Sequence, residues 1–207
     1  MRPLFSKEAG RRPGPANLGG FWSGPLDPGR RLVWLGLGGL ALGLEIFSYA
    51  YFQGHLKLRP CELCVQIRFS MVAVALGAAV TAVWPRRPAG RLLGGLIIIW
   101  ALVQGLIWDI RLEMIYLNAA APGYALCSPS AVRFPLGLPL DRWLPTHFAP
   151  TAPCGADGWR LGGLNMAEWL LAVYAFFLLA FSGLWWGWRR TRLRPENADV
   201  TTKQEET

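Results

Sequence analysis

Cys61-Glu62-Leu63-Cys64 is the segment of this chain best equipped for chemistry. Two cysteines separated by two residues suit a thiol–disulfide couple, half of a zinc site or a structural disulfide. Haem attachment would need a His directly after the second Cys, and Val65 stands there. A four-cysteine zinc site would need a second close pair, but the remaining cysteines, Cys127 and Cys154, lie far apart in sequence. The neighbours favour redox work. Cys64 opens an apolar run, where unsatisfied amides and the helix dipole favour an anion. Arg68 follows four residues on, on the same helix face, where its charge would favour a Cys64 thiolate. The plainer reading of Arg68 is an interfacial anchor that snorkels to lipid headgroups.

The elements that position these residues are membrane spans. Of the 207 residues, 53% are apolar, eleven are Trp and only 16% are charged, against about 25% in soluble domains. The net charge of +8 gathers at the ends of apolar runs and not in a stripe interleaved with aromatics, so nucleic acid is not the expected partner. Four runs, about 32–52, 65–84, 92–108 and 166–188, each have the length to cross roughly 30 Å of hydrocarbon. Trp84, Trp108, Trp185, Trp186 and Trp188 close them, as an interfacial belt requires. Arg11-Arg12 stands too far from the first run for a twin-arginine signal, and that run ends in Tyr49-Ala50-Tyr51-Phe52-Gln53, not in a cleavage site, so a retained helix is expected. The expected fold is all-α. A basic, disordered tail over 1–31 precedes a four-helix membrane domain over 32–188, and a second tail covers 189–207. Two loops, 53–64 and 109–165, carry the cysteines.

Lys and Arg orient the bundle. Fourteen lie in the two tails and in the turn around Arg86, and six lie in the two cysteine-bearing loops. The positive-inside rule puts both tails in the cytoplasm and all four cysteines in the oxidising compartment. An electron acceptor is then needed, and no Gly-rich nucleotide turn or paired histidines supply one. A lipid-soluble quinone reaching Cys64 from the bilayer would do so. His55 and His147 are lone loop residues and read as plain polar surface. Phe134, Leu136, Leu138, Leu140, Trp143, Leu144 and Phe148 make the long loop apolar, which suits a segment lying on the membrane surface or a small packed subdomain. Glu45, Gln104 and Glu168 are the polar residues within the spans, and Glu45 is expected to face the bundle interior.

With these residues in view, the chain closely resembles the bacterial disulfide bond formation protein B family, DsbB, over about Leu42 to Tyr174. The resemblance rests on Pro60-Cys61-x-Leu63-Cys64-x-x-x-Arg68, Val132-Arg133-Phe134-Pro135, Leu138-Pro139-Leu140-Asp141-Arg142-Trp143-Leu144-Pro145 and Glu168-Trp169-Leu170-Leu171, in that order. It implies a multi-pass protein of the bacterial inner membrane, a thiol:quinone oxidoreductase that reoxidises a periplasmic DsbA-like dithiol protein and passes the electrons to ubiquinone or menaquinone. It implies disulfides Cys61–Cys64 and Cys127–Cys154, with Cys127 meeting the partner, Cys154 passing electrons to Cys61, and Cys64 facing the quinone beside Arg68. It implies no metal. The stretch 109–121 departs from the family pattern and leaves the rest of the quinone pocket unassigned. A DsbI-like branch serving one dedicated partner is the alternative within the family. A membrane scaffold with structural disulfides is the alternative outside it, and a metal transporter would need more paired polar groups than the spans contain.

Overall fold

The computed structural model describes residues 31–85, 87–118, 132–154 and 159–192. Cys127, Arg86 and most of both tails lie outside the described residues. The chain forms α1 (Arg31–Ser48), which continues as a π-helical stretch (Tyr49–His55), then α2 (Glu62–Val83) and α3 (Pro88–Asn118). A 3₁₀ turn (Pro135–Gly137) leads to two short helices, α4 (Leu140–Trp143) and α5 (Pro145–Phe148). A hairpin of β1 (Arg160–Leu161) and β2 (Leu164–Asn165) then runs into α6 (Met166–Arg192). Four of these helices are long and apolar enough to cross a membrane.

The centre of the bundle is α2, packed between α1 and α3, with α3 also against α6. Its buried residues, among them Val65, Ile67, Met71, Val74, Ala78 and Thr81, point in every direction, as a helix walled by protein requires. α1 is one-sided. Trp34, Leu37, Gly38, Ala41 and Glu45 form a stripe at helical spacing, while Leu32, Leu42 and Ile46 are exposed where lipid would lie. Small residues let the backbones close. A Cβ on Gly38 would meet the Ala78 side chain at 3.1 Å, and one on Gly77 would meet the Gly94 carbonyl at 2.8 Å. This is the close packing that holds helices together where burial from water contributes little.

Three expected boundaries move. α2 begins at Glu62, so Cys64 sits inside its first turn and not in a loop. The helical run from α1 reaches His55, which shortens the first connection to 56–61. α3 continues to Asn118, ten residues past its apolar stretch, and at about 46 Å it outruns the hydrocarbon. The charges Asp109, Arg111 and Glu113 ended the apolar run without ending the helix. Glu168 is explained by an N-terminal capping box: the Asn165 side chain accepts from the Glu168 amide at 2.9 Å, and the Glu168 carboxylate accepts from the Asn165 amide at 2.6 Å. Asn165 also donates to Glu113 at 2.9 Å, tying the protruding end of α3 to the start of α6.

Candidate active site

The cysteine chemistry is built at one end of α2. Pro60 resists helix in the residue before it, and Cys61 in extended backbone becomes the N-cap. Its sulfur accepts a hydrogen bond from the Cys64 amide at 3.3 Å. The sulfur that receives the helix-end amide is therefore that of Cys61, where the sequence pointed to Cys64. The misplacement comes from starting the helix three residues late. Residues three apart in a first turn share a side of the helix, which is compatible with a disulfide between them. Cys61 is buried and Cys64 is half-buried.

The long loop is folded onto this end of α2. Phe134 and Phe148 bury themselves against Val65, with Phe69, Val132, Leu138 and Leu140 around them. The Gln66 side chain donates to the Arg133 carbonyl at 3.1 Å. These residues pack against α2, while Trp143 and Leu144 stay exposed. The amides of Thr151 and Ala152 both donate to the Pro60 carbonyl, at 2.9 and 3.3 Å. That clasp brings Cys154, fully buried and disulfide-bonded, into the same apolar cluster as Cys61. Three of the four cysteines thus share one end of the bundle. The fourth, Cys127, is outside the described residues.

Beside Cys64 lies a cavity of about 410 Å³ between α1, the π-helical stretch, α2 and α6. Leu44, Phe47, Ile67, Met71, Leu170 and Val173 make its walls apolar. Tyr51, Phe52, Trp159 and Trp169 form an aromatic rim, with Phe52 edge-on to Trp159 at 5.0 Å and Trp169 donating to the Leu161 carbonyl at 3.1 Å. Cys64, Arg68 and Glu45 are its reactive or charged groups. Arg68 is only 5% exposed, and its Nε lies 3.6 Å from Oε1 of Glu45. Arg68 Nη1 donates to the His147 carbonyl at 3.4 Å. Arg68 and Cys64 thus line one cavity, and a carboxylate on α1 and a carbonyl on α5 hold the guanidinium in place.

His147 is not the plain surface residue its sequence position suggested. Its Nε2 lies 3.2 Å from Oε1 of Glu45, and its ring packs on Tyr49 with centroids 4.7 Å apart. Burial and the Arg68 charge hold the imidazole below the ordinary histidine range. No sequence signal pairs a histidine in the long loop with a glutamate in the first span, because only the folded loop brings them together.

A model of the family described as disulfide bond formation protein DsbB matches residues 30–184. The chain belongs to the DsbB family. A Shewanella oneidensis protein named for the protein-disulfide oxidoreductase DsbI is 40% identical over 171 residues, spanning 76% of this chain and 81% of that one. The disulfide bond formation protein B of Shewanella denitrificans is 32% identical over 152 residues, 73% and 85% of the two chains. A protein-disulfide oxidoreductase DsbI of Lelliottia amnigena is 34% identical over 134 residues, with 60% of that protein covered. The chain is a multi-pass membrane protein-disulfide oxidoreductase on the DsbI-like side of the family, and it works with a thiol-oxidoreductase partner.

Proposed function

We propose that this protein oxidises a periplasmic DsbA-like dithiol protein and passes the electrons through its two cysteine pairs to ubiquinone or menaquinone in the bacterial inner membrane. The cavity beside Cys64 carries this reading. Its volume falls in the range of small-molecule sites, its walls are apolar as a lipid-soluble ring requires, and its charged groups gather at the Cys64 end. A bound quinone would supply a two-electron, two-proton acceptor at that point. Arg68, fixed by Glu45 and the His147 carbonyl, would favour negative charge on Cys64 and could donate to an acceptor oxygen of a bound quinone. The aromatic rim excludes water. Both termini lie in the cytoplasm in this reading, on the strength of the Lys/Arg asymmetry.

The relay is a series of thiolate attacks on disulfides. The partner's thiolate attacks Cys127 of the Cys127–Cys154 pair, forming a mixed disulfide and releasing Cys154. Cys154 attacks Cys61 of the Cys61–Cys64 pair and releases Cys64 as thiolate, favoured by Arg68. The partner's second thiol resolves the mixed disulfide and leaves with its own disulfide. Cys127 then re-forms its bond to Cys154 and releases Cys61. Finally Cys61 and Cys64 close again as two electrons depart from Cys64. The clasp between Pro60 and 151–152, which places Cys154 in the Cys61 cluster, supports the middle step.

The test is stoichiometric. Full-length protein in lipid nanodiscs, supplied with a reduced DsbA-like protein and a short-chain ubiquinone or menaquinone analogue, is expected to form one quinol per partner disulfide. Partner oxidation without quinol would refute the acceptor. The DsbI-like similarity favours a dedicated partner, and selective oxidation of one DsbA-like protein over a general one would mark it.

A further inference from the structure

Closing the Cys61–Cys64 bond from a Cys61 thiol and a Cys64 thiolate releases two electrons and one proton. Converting a quinone to a hydroquinone consumes two electrons and two protons, so one proton must come from elsewhere. The cavity wall offers few sources. Besides Cys64, its charged or acidic side chains are Arg68, a permanent cation, and Glu45. Glu45 is the remaining group. Its side chain is only 7% exposed, against 30% for that of His147, whose Nε2 lies 3.2 Å away. Oε1 of Glu45 has no directed hydrogen bond among the described residues, although it lies near both Arg68 and His147.

We propose that His147 and Glu45 form the proton entry to the quinone cavity: the Glu45 carboxylate takes a proton from His147 Nε2 and passes it to the acceptor oxygen, and His147 regains it from water. The proposal rests on the quinone reading above. His147 itself touches no electron carrier and is a positioning group that acts through Glu45. The structure holds it at three points. Arg68 of α2 binds its carbonyl, Tyr49 packs at a tilt on its ring, and Phe148 beside it is anchored in the Val65 cluster. The titratable or charged groups facing it are Glu45 and Tyr49 from the first helical run and Arg68 from α2; α4, packed on α5, carries Asp141 and Arg142.

Two measurements test this on full-length protein in nanodiscs. In the first, dithiothreitol-reduced protein is mixed with a short-chain ubiquinone and quinol formation is followed across pH. H147A and H147Q should slow it at least tenfold at pH 7.5. Imidazole in the buffer should restore most of the H147A rate, and mixed-disulfide formation with the partner should be unchanged. In the second, ¹⁵N-histidine NMR follows the His147 titration without quinone. Glu45→Gln should move that titration to lower pH by about half a pH unit. Variants with wild-type rates and pH profiles, a loss that imidazole does not repair, or a His147 titration indifferent to Glu45→Gln would each overturn the proton entry. A wild-type protein that reduces no quinone would overturn the quinone reading and the proton entry together. Wild-type reduction with normal His147 variants would overturn the proton entry alone.

Discussion

Two of the buried polar clusters among the described residues differ in what they face. Glu45, Arg68 and His147 stand at the wall of the cavity, with charges close but loosely bonded. Ser70 and Tyr174 lie between α2, α3 and α6 and are tightly bonded. Ser70 Oγ donates to the Ile67 carbonyl at 2.7 Å, so the Tyr174 hydroxyl donates to Ser70 at 2.5 Å. Both residues are essentially inaccessible. Gly105 of α3 leaves the space for them, since a Cβ there would collide with both hydroxyls. Asp109, one turn further along α3, is equally buried and within electrostatic range of Tyr174. The Ser70–Tyr174 pair satisfies its own hydrogen bonds and ties α2 to α6 where Gly105 of α3 leaves room. The cavity cluster leaves an oxygen of Glu45 without a directed bond, which is a poor way to stabilise a fold and a useful way to meet a ligand.

Variants on the two sides should therefore fail differently. Cys64→Ser should abolish quinol formation and leave thermal stability within a few degrees of wild type, read by quinone absorbance and by a melting curve. Arg68→Ala should lower quinol formation about a hundredfold, raise the quinone concentration needed for half the maximal rate, and slow partner exchange far less. Equal loss in both half-reactions would make Arg68 a folding anchor and erase the contrast. Gly105→Ala should behave in the opposite way. It should cost about 1–3 kcal/mol of stability by overpacking, with the surviving folded fraction turning over at a near-normal rate. A stable Gly105→Ala protein that has lost quinone reduction would move the Ser70–Tyr174 cluster into the mechanism.

The smallest effect concerns pH. The His147 pKa is lowered on folding by burial and by Arg68. The unfolded chain therefore binds a proton that the folded protein resists. The contribution is fully present above the ordinary histidine range, near pH 6.5, and is lost as pH falls through that range toward the lowered folded value. The melting temperature should drop on acidification from pH 7.5 to 5, and His147→Gln should flatten part of that drop. A steeper drop in the variant would give the pKa shift the wrong sign.

The sequence made the chemistry legible and left much of its surroundings hidden. Four spans follow from apolar length, and the redox role follows from two cysteines beside an arginine at a helix start. The capping box at Asn165 and Glu168 was open to reading from spacing alone, as was an N-cap at Cys61 between Pro60 and an acidic first turn. The end of α3 was not, because hydropathy reports where lipid stops and not where a helix stops. The Glu45–Arg68–His147 cluster was hidden for a different reason. Its members come from the first helical run, the second helix and the long loop, and folding of the loop against Val65 is what brings His147 to the other two.

The most direct test of the account is to locate the acceptor. A photoactivatable ubiquinone analogue, cross-linked to the full-length protein in nanodiscs and mapped by peptide mass spectrometry, should label cavity residues such as Phe47, Met71 and Leu170, and Val173→Trp, which fills the cavity, should remove both the label and quinol formation. Labelling confined to the exposed face of α3, around Leu96 and Val103, or labelling and turnover that survive Val173→Trp, would contradict it.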